Sequence, residues 1–192
     1  MSNKIKYGIK NLMYAVATIA ANGSATYGTP VAIPGAVSMS LDQQGEISPF
    51  YADNIKYYTS VSNNGYNGDL ELALVPDSFK KDVLGYIEDG NGVLVENADA
   101  PVVHFALMGQ FEGDANGKRF VLYNCTSNRP AVGSQTKEDT ITPQTETITI
   151  DAASVYNATL DKNIVKASAD GSNAKYDDWF DEVYEPTAPI SG

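Results

Sequence analysis

The sequence predicts a mainly β fold, antiparallel and sandwich- or barrel-like, with one or two short α-helices. Three observations predict it. Apolar and polar residues alternate with period two in run after run, as in strands with one wet face. Tyrosine (12) outnumbers phenylalanine (6) and tryptophan (1), and such a bias suits half-buried pleated surfaces. Asn-Gly pairs at 64–65, 67–68 and 116–117 stand between the runs, where a tight turn needs positive φ. At 192 residues the chain is long enough for one well-cored domain. Residues 1–192 are therefore expected to form a single domain, with a core over about 4–150 and a less regular strand or helix segment over 151–192.

Residues 4–18 alternate, but their phase changes. Ile5, Tyr7 and Ile9 share one face, then Leu12, Tyr14 and Val16 the other. A one-residue slip inverts every side chain, so a bulge is expected near Lys10-Asn11. The lysines and the apolar run 12–21 look superficially like a secretory leader; the alternation of Lys4 and Lys6 with Ile5 and Tyr7 reads instead as an amphipathic strand. "AANGSATYGTPVAIPG" is expected to be a loop, punctuated by Gly23, Gly28, Pro30, Pro34 and Gly35. Val37, Met39 and Leu41 then alternate with polar residues as a strand, and "QQGEISP" reads as another loop.

In "FYADNIKYYTSVSNNGYNGDLELALVP" (50–76), Ile55, Tyr57, Thr59 and Val61 form one alternating row. Leu70, Leu72 and Leu74 form a second. The Asn/Gly cluster between them predicts a hairpin turn joining two strands. "PDSFKKDVLGY" predicts a helix capped by Asp77 or Ser78, with Phe79 and Val83 one turn apart and Gly85 as its stop. Strands over 102–111 and 118–126 follow, joined by "EGDANGK". "SNRPAVGSQTKEDTITP" is polar and extended, since Pro130 and Pro143 exclude a regular helix. Residues 144–150 read as a strand. In "AKYDDWFDEVY", Tyr176, Phe180 and Val183/Tyr184 fall on one stripe and predict a short amphipathic helix.

Chemistry is harder to find. The net charge is −11, from 24 acidic and 13 basic residues, which does not suit gripping phosphate backbones. The single Cys125, in "RFVLYNCT", reads as a packed small side chain, and His104, the lone histidine, as a strand-face residue. "EDGNG" (88–92), "DANG" (114–117) and "ADGSN" (169–173) lack the spacing of a calcium loop and read as turns. The acids of the C-terminal stretch read as a solvated face. There is no nucleophile elbow, P-loop or dinucleotide fingerprint, and no run near the ~20 apolar residues of a membrane span. No catalytic, metal or cofactor residue is predicted. Long strands with two moderately apolar faces, Tyr57 on one and Tyr58 on the other, instead suit a sheet that continues into another chain.

Three segments carry a family resemblance: "GTPVAIPGAVSMSLD", "FYADNIKYYTSVSNNGYNGDLELALVPDSFKKDVLG" and "VLYNCTSNRPAVGSQTKEDTITPQTETITI". Together they resemble the phi13-type family of phage major tail proteins, over about residues 4–150 and in order. The resemblance implies a tail-tube-like fold and the tube subunit of a long, non-contractile, siphovirus-type tail. It further implies six-membered rings, stacked around a tape-measure protein and bounded by tail terminator and distal tail proteins. Double-stranded DNA then passes through the lumen without sequence-specific contacts. Subunits would assemble in the host cytoplasm and end in the virion, with no membrane and no cofactor. Six subunits at −11 would carry 6 × −11 = −66 per ring, and acids facing inward would let DNA slide rather than stick.

For contacts between subunits and rings the resemblance points to a long hairpin. The candidates are Gly45, Glu46, Pro49, Phe50, Tyr51 and Asp53 on 43–53. Asn63, Asn64, Gly65, Tyr66, Asn67 and Gly68 mark the expected turn. Arg129, Lys137 and Glu138 in the extended segment complete the set. A second reading is a β-sandwich module that stacks carbohydrate or another surface ligand on exposed Tyr57, Tyr58 and Tyr66.

Overall fold

The alternation at the start of the chain becomes one 14-residue strand, β1 (Lys6–Ile19). Its register against its neighbour slips between Tyr7 and Ile9 and again between Lys10 and Met13. Gly8 (φ 62°) and Asn11 (φ 52°) supply the backbone for the two irregularities. The expected bulge is present, and it explains why Tyr7 is exposed while Leu12 and Tyr14 are buried. The computed structural model describes residues 4–113, 115–136 and 143–188.

The expected loop after β1 contains two short strands, β2 (Ala25–Tyr27) and β3 (Val31–Ala32), both paired with β1. Next comes β4 (Ala36–Gln44), whose register slips between Ala36 and Ser38. That slip turns Val37 outward while Ala36, Met39 and Leu41 pack on the core.

The following strands correct the expected hairpin. The expected "QQGEISP" loop is mostly strand, Gln43 and Gln44 ending β4 and Ile47 to Pro49 opening β5 (Ile47–Ala52), which pairs with β6 (Ile55–Val61). β7 (Gly65–Leu72) pairs not with β6 but with β4 and with a strand further along the chain. The turn lies at Asp53-Asn54, where φ is 51° and 60°, the two successive positive values that a two-residue hairpin turn requires. The Asn/Gly cluster is thus the root of the returning strand, opposite Gln44 and Leu41. Its glycines serve another purpose: a Cβ on Gly65 would collide with the carbonyl oxygen of Ala152, and one on Gly68 with that of Ser40. Leu70 and Leu72 are buried as their alternation implies. Leu74 is 69% exposed, because the strand has ended and Val75 takes the inward position.

Helix α1 (Asp77–Asp82) forms where expected, but Pro76 is its N-cap and no side chain caps it. Phe79 and Val83 are buried, and Gly85 (φ 72°) ends the turn. β8 (Ile87–Glu88) and β9 (Leu94–Val95) form a small hairpin. Its "EDGNG" segment is a turn, in which the Asp89 carboxylate accepts the backbone N–H groups of Asn91 and Val93. β10 (His104–Gly113) and β11 (Lys118–Ser127) pair as anticipated. β12 (Glu146–Ala153), β13 (Val155–Asn157), β14 (Lys162–Ile164) and β15 (Lys166–Asp170) complete the strands.

The main sheet runs β2-β1-β10-β11-β12-β7-β4, with every pairing antiparallel. β11 divides one edge between two partners. Lys118 to Leu122 pair with β15, and Asn124 to Ser127 with β12. Two cores result. The larger gathers Leu12, Tyr14, Leu70, Phe105, Leu122 and Ile148 under α1. There Tyr14 donates to Asp82 at 2.8 Å, and burial pushes its hydroxyl up to about 12. Cys125 belongs to this core as a packed side chain, its thiol pushed up by burial. The second core, on Ala15, Ala106, Met108, Val121 and Tyr123, is covered by Trp179 and Val183.

That cover is not the expected C-terminal helix. Residues 171–182 form successive turns, with Tyr176 bonding back to Asn173, Trp179 to Tyr176 and Asp181 to Asp178. Tertiary contacts outcompete the helix ladder. The Arg119 guanidinium lies 3.9 Å from the Tyr176 ring centre and 4.8 Å from that of Phe180, and it donates to the Tyr176 carbonyl. Trp179 stacks on Tyr184 and donates its indole N–H to Phe120. No helix among the described residues is long and apolar enough to cross a membrane.

Candidate functional site

Strands β4 and β7 do not stop where the sheet stops. Asn64 N–H donates to the Gln44 carbonyl at 2.8 Å, and Ser62 N–H to that of Glu46 at 3.0 Å. Through these bonds β4–β7 pairing passes without a break into β5–β6, so one hairpin runs from Ala36 to Leu72 with its tip at Asp53-Asn54. Its outer half, β5 and β6, is an arm that pairs with no other strand among the described residues. Gly45 stands at the root because a Cβ there would collide with the Ser62 carbonyl oxygen.

The arm's composition is unlike that of a solvated hairpin. Ile47, Phe50, Tyr51, Ile55, Tyr57, Tyr58 and Val61 are each at least 60% exposed. The register distributes them over both faces. Ile47 opposite Val61, Pro49 and Tyr51 lie on one; Phe50 opposite Tyr58, and Ile55 opposite Ala52, lie on the other. A two-stranded ribbon is marginally stable by itself in water, and each large apolar side chain left wet forgoes about 1.5–3 kcal/mol of burial. Such a ribbon is a surface built to be covered.

The candidate contact residues fall into three groups. Glu46, Pro49, Phe50, Tyr51 and Asp53 lie on the arm, with Gly45 at its root. Asn63, Asn64, Gly65, Tyr66, Asn67 and Gly68 lie at its root and along β7. There Asn63 accepts from Gly65 N–H, Tyr66 from the Lys166 ammonium at 3.0 Å, and Asp151 from Asn67 at 3.3 Å. These residues build the subunit itself rather than a loop tip. Arg129 is likewise held by its own chain, 2.9 Å from the Glu96 carboxylate and 2.7 Å from the Asn97 carbonyl. Lys137 and Glu138 lie outside the described residues.

Asn54 and Ile55 are arm residues that the sequence did not single out for contact. The signal for them was the pair Asp53-Asn54, a two-residue turn flanked by β-prone residues, hidden by the richer Asn/Gly cluster downstream. The tyrosines imagined as a sugar platform are separated: Tyr58 stands opposite Phe50, Tyr57 is the extra residue of a register slip, and Tyr66 is half-buried in β7. His104 is bonded through Nδ1 to the Asn124 amide oxygen at 2.7 Å, as a strand-face residue. Among the described residues no three His, Cys, Asp or Glu side chains gather as a metal site.

Comparison with known proteins adds one finding. A family model described as phage tail tube protein matches residues 1–192. No curated protein matches the chain.

Proposed function

We propose that this chain, which belongs to the phage tail tube protein family, is the repeating subunit of a tube built from stacked six-membered rings. The tube encloses a tape-measure protein, is bounded by terminator and distal tail proteins, and later conducts double-stranded DNA. Assembled in the host cytoplasm, it ends as part of the virion. The role is structural rather than catalytic.

One observation carries this reading beyond the family: the β5–β6 arm exposes large apolar side chains on both faces. A head-to-tail contact repeated along an axis makes an open filament, and an arm that needs cover on two sides suits insertion between copies. Closing the remaining sheet edges against neighbours removes the exposed edges of β2 and β4 as well.

Negative-stain microscopy of the purified full-length protein tests the reading. Wild type is expected to form rings or concentration-dependent tubes. A variant in which residues 47–61 are replaced by a short Gly-Asn turn is expected to fold but remain unassembled. Tubes of ordinary length from the armless variant would refute the arm's role; a wild-type protein that stays monomeric and shifts with glycans would favour a recognition module.

A further inference from the structure

Beside the root of the arm a groove of about 340 Å³ opens into the larger core. Its floor is apolar, formed by Met39 and Leu41 of β4, Phe111 of β10 and Phe120 of β11. Three ammonium groups rim it, from Lys6, Lys118 and Lys166. Lys6 lies 4.5 Å from the centre of the Phe111 ring and Lys166 4.6 Å from that of Tyr66. Among the described residues none of the three forms an ion pair with a carboxylate; Asp170, opposite Lys118 in the sheet, accepts from Ser172. Three lysines around a partly exposed apolar floor are conspicuous in a chain of net charge −11.

We infer that this groove is the seat of the β5–β6 arm of a second copy of the chain. The inference rests on the reading of the arm as an inter-subunit contact and names the surface that receives it. Two complementarities support the pairing. The arm offers aromatic and branched side chains to an apolar floor, and its acids Glu46 and Asp53 to a basic rim. Aromatic arm residues over lysines would extend the cation–π contacts already present at Phe111 and Tyr66.

The arm does not serve its own groove. Leu41 and Tyr66 line the groove and lie on the two strands that run into the arm. The unbroken ladder at Gln44–Asn64 and Glu46–Ser62 holds the arm extended away from that point. Its strands, of six and seven residues, span roughly 20 Å, enough to cross to a neighbour. Each copy then gives one arm and receives one, a heterologous contact that propagates.

Mixing two full-length variants tests this. Cys125 is fully buried, so introduced thiols report alone. Phe50→Cys protein and Met39→Cys protein, mixed, assembled and mildly oxidised, should give a disulfide-linked dimer that linked peptides assign to positions 50 and 39. Neither variant alone gives that linkage. As a second measurement, Lys118→Glu with Lys166→Glu should abolish assembly, and adding Glu46→Lys with Asp53→Asn, which keeps the turn, should restore it. If the armless variant fails to assemble yet neither the 50–39 linkage nor the charge swap appears, the arm seats elsewhere and the inference falls while the proposed function stands. If the armless variant assembles normally, both fall together.

Discussion

Gly65 and Gly68 illustrate how one residue type answers two different physical demands. Beside Asn64 and Asn67 they look like turn residues, and turns do favour glycine for its positive φ. Gly65 does adopt φ 98°, but both glycines sit inside β7, where a neighbouring backbone leaves no room for a Cβ. Branched residues at these two positions are therefore expected to impair folding of the subunit itself. Gly65→Val or Gly68→Val is expected to destabilise the isolated subunit by about 2–4 kcal/mol, the size of strained or overpacked sites. Urea denaturation of the monomer reads this directly, and an unchanged midpoint would show that the strands can part there freely. Asp53 and Asn54 meet the other demand: their short polar side chains tolerate left-handed backbone at the arm's tip.

At the scale of elements, the arm and the C-terminal segment fail their sequence expectations for a shared reason. Period-two alternation locates β6 and β7 but is silent on which strand each pairs with. Helical periodicity over 174–184 describes a stripe that tertiary contacts can bury without a helix. Trp179 was absent from that stripe, yet it is the most buried aromatic of the segment, stacked on Tyr184 and bonded to the Phe120 carbonyl. Trp179→Ala should therefore cost about 3–5 kcal/mol, as expected for a large aromatic removed from a core. The loss is expected to loosen 171–188 first, so limited proteolysis should clip that segment before the subunit melts. Resistance equal to wild type would mean that Arg119 and the Tyr176 and Phe180 rings suffice to hold it.

For the whole molecule the relevant quantity is charge. An acidic subunit, if repeated around a ring, makes a strongly anionic assembly, while Lys6 lies with Lys118 and Lys166 around an apolar groove. Under the proposed function the acids that remain outward or lumenal repel phosphates. Assembled tubes are accordingly expected to retain no double-stranded DNA in a filter-binding assay even at about 50 mM salt, where phosphate contacts are strongest. Retention that weakens steeply as salt is raised would reveal a basic lumen and overturn this expectation.

By itself the sequence determined the β class, the positions of most long strands, the bulge near Asn11, the helix at Phe79 and the tail-tube family. These follow from local periodicity, from turn and helix-stop residues and from long characteristic strings, all readable along the chain. Only the tertiary structure decided that β6 turns back on β5, that the Asn/Gly cluster is a crowded root rather than a tip, and that the arm stands bare on both faces. Strand pairing depends on contacts between residues far apart in sequence, and the exposure of an apolar row is a property of what does or does not pack against it. Alternation shows that a strand has two faces; only its neighbours determine which of them is left to meet another chain.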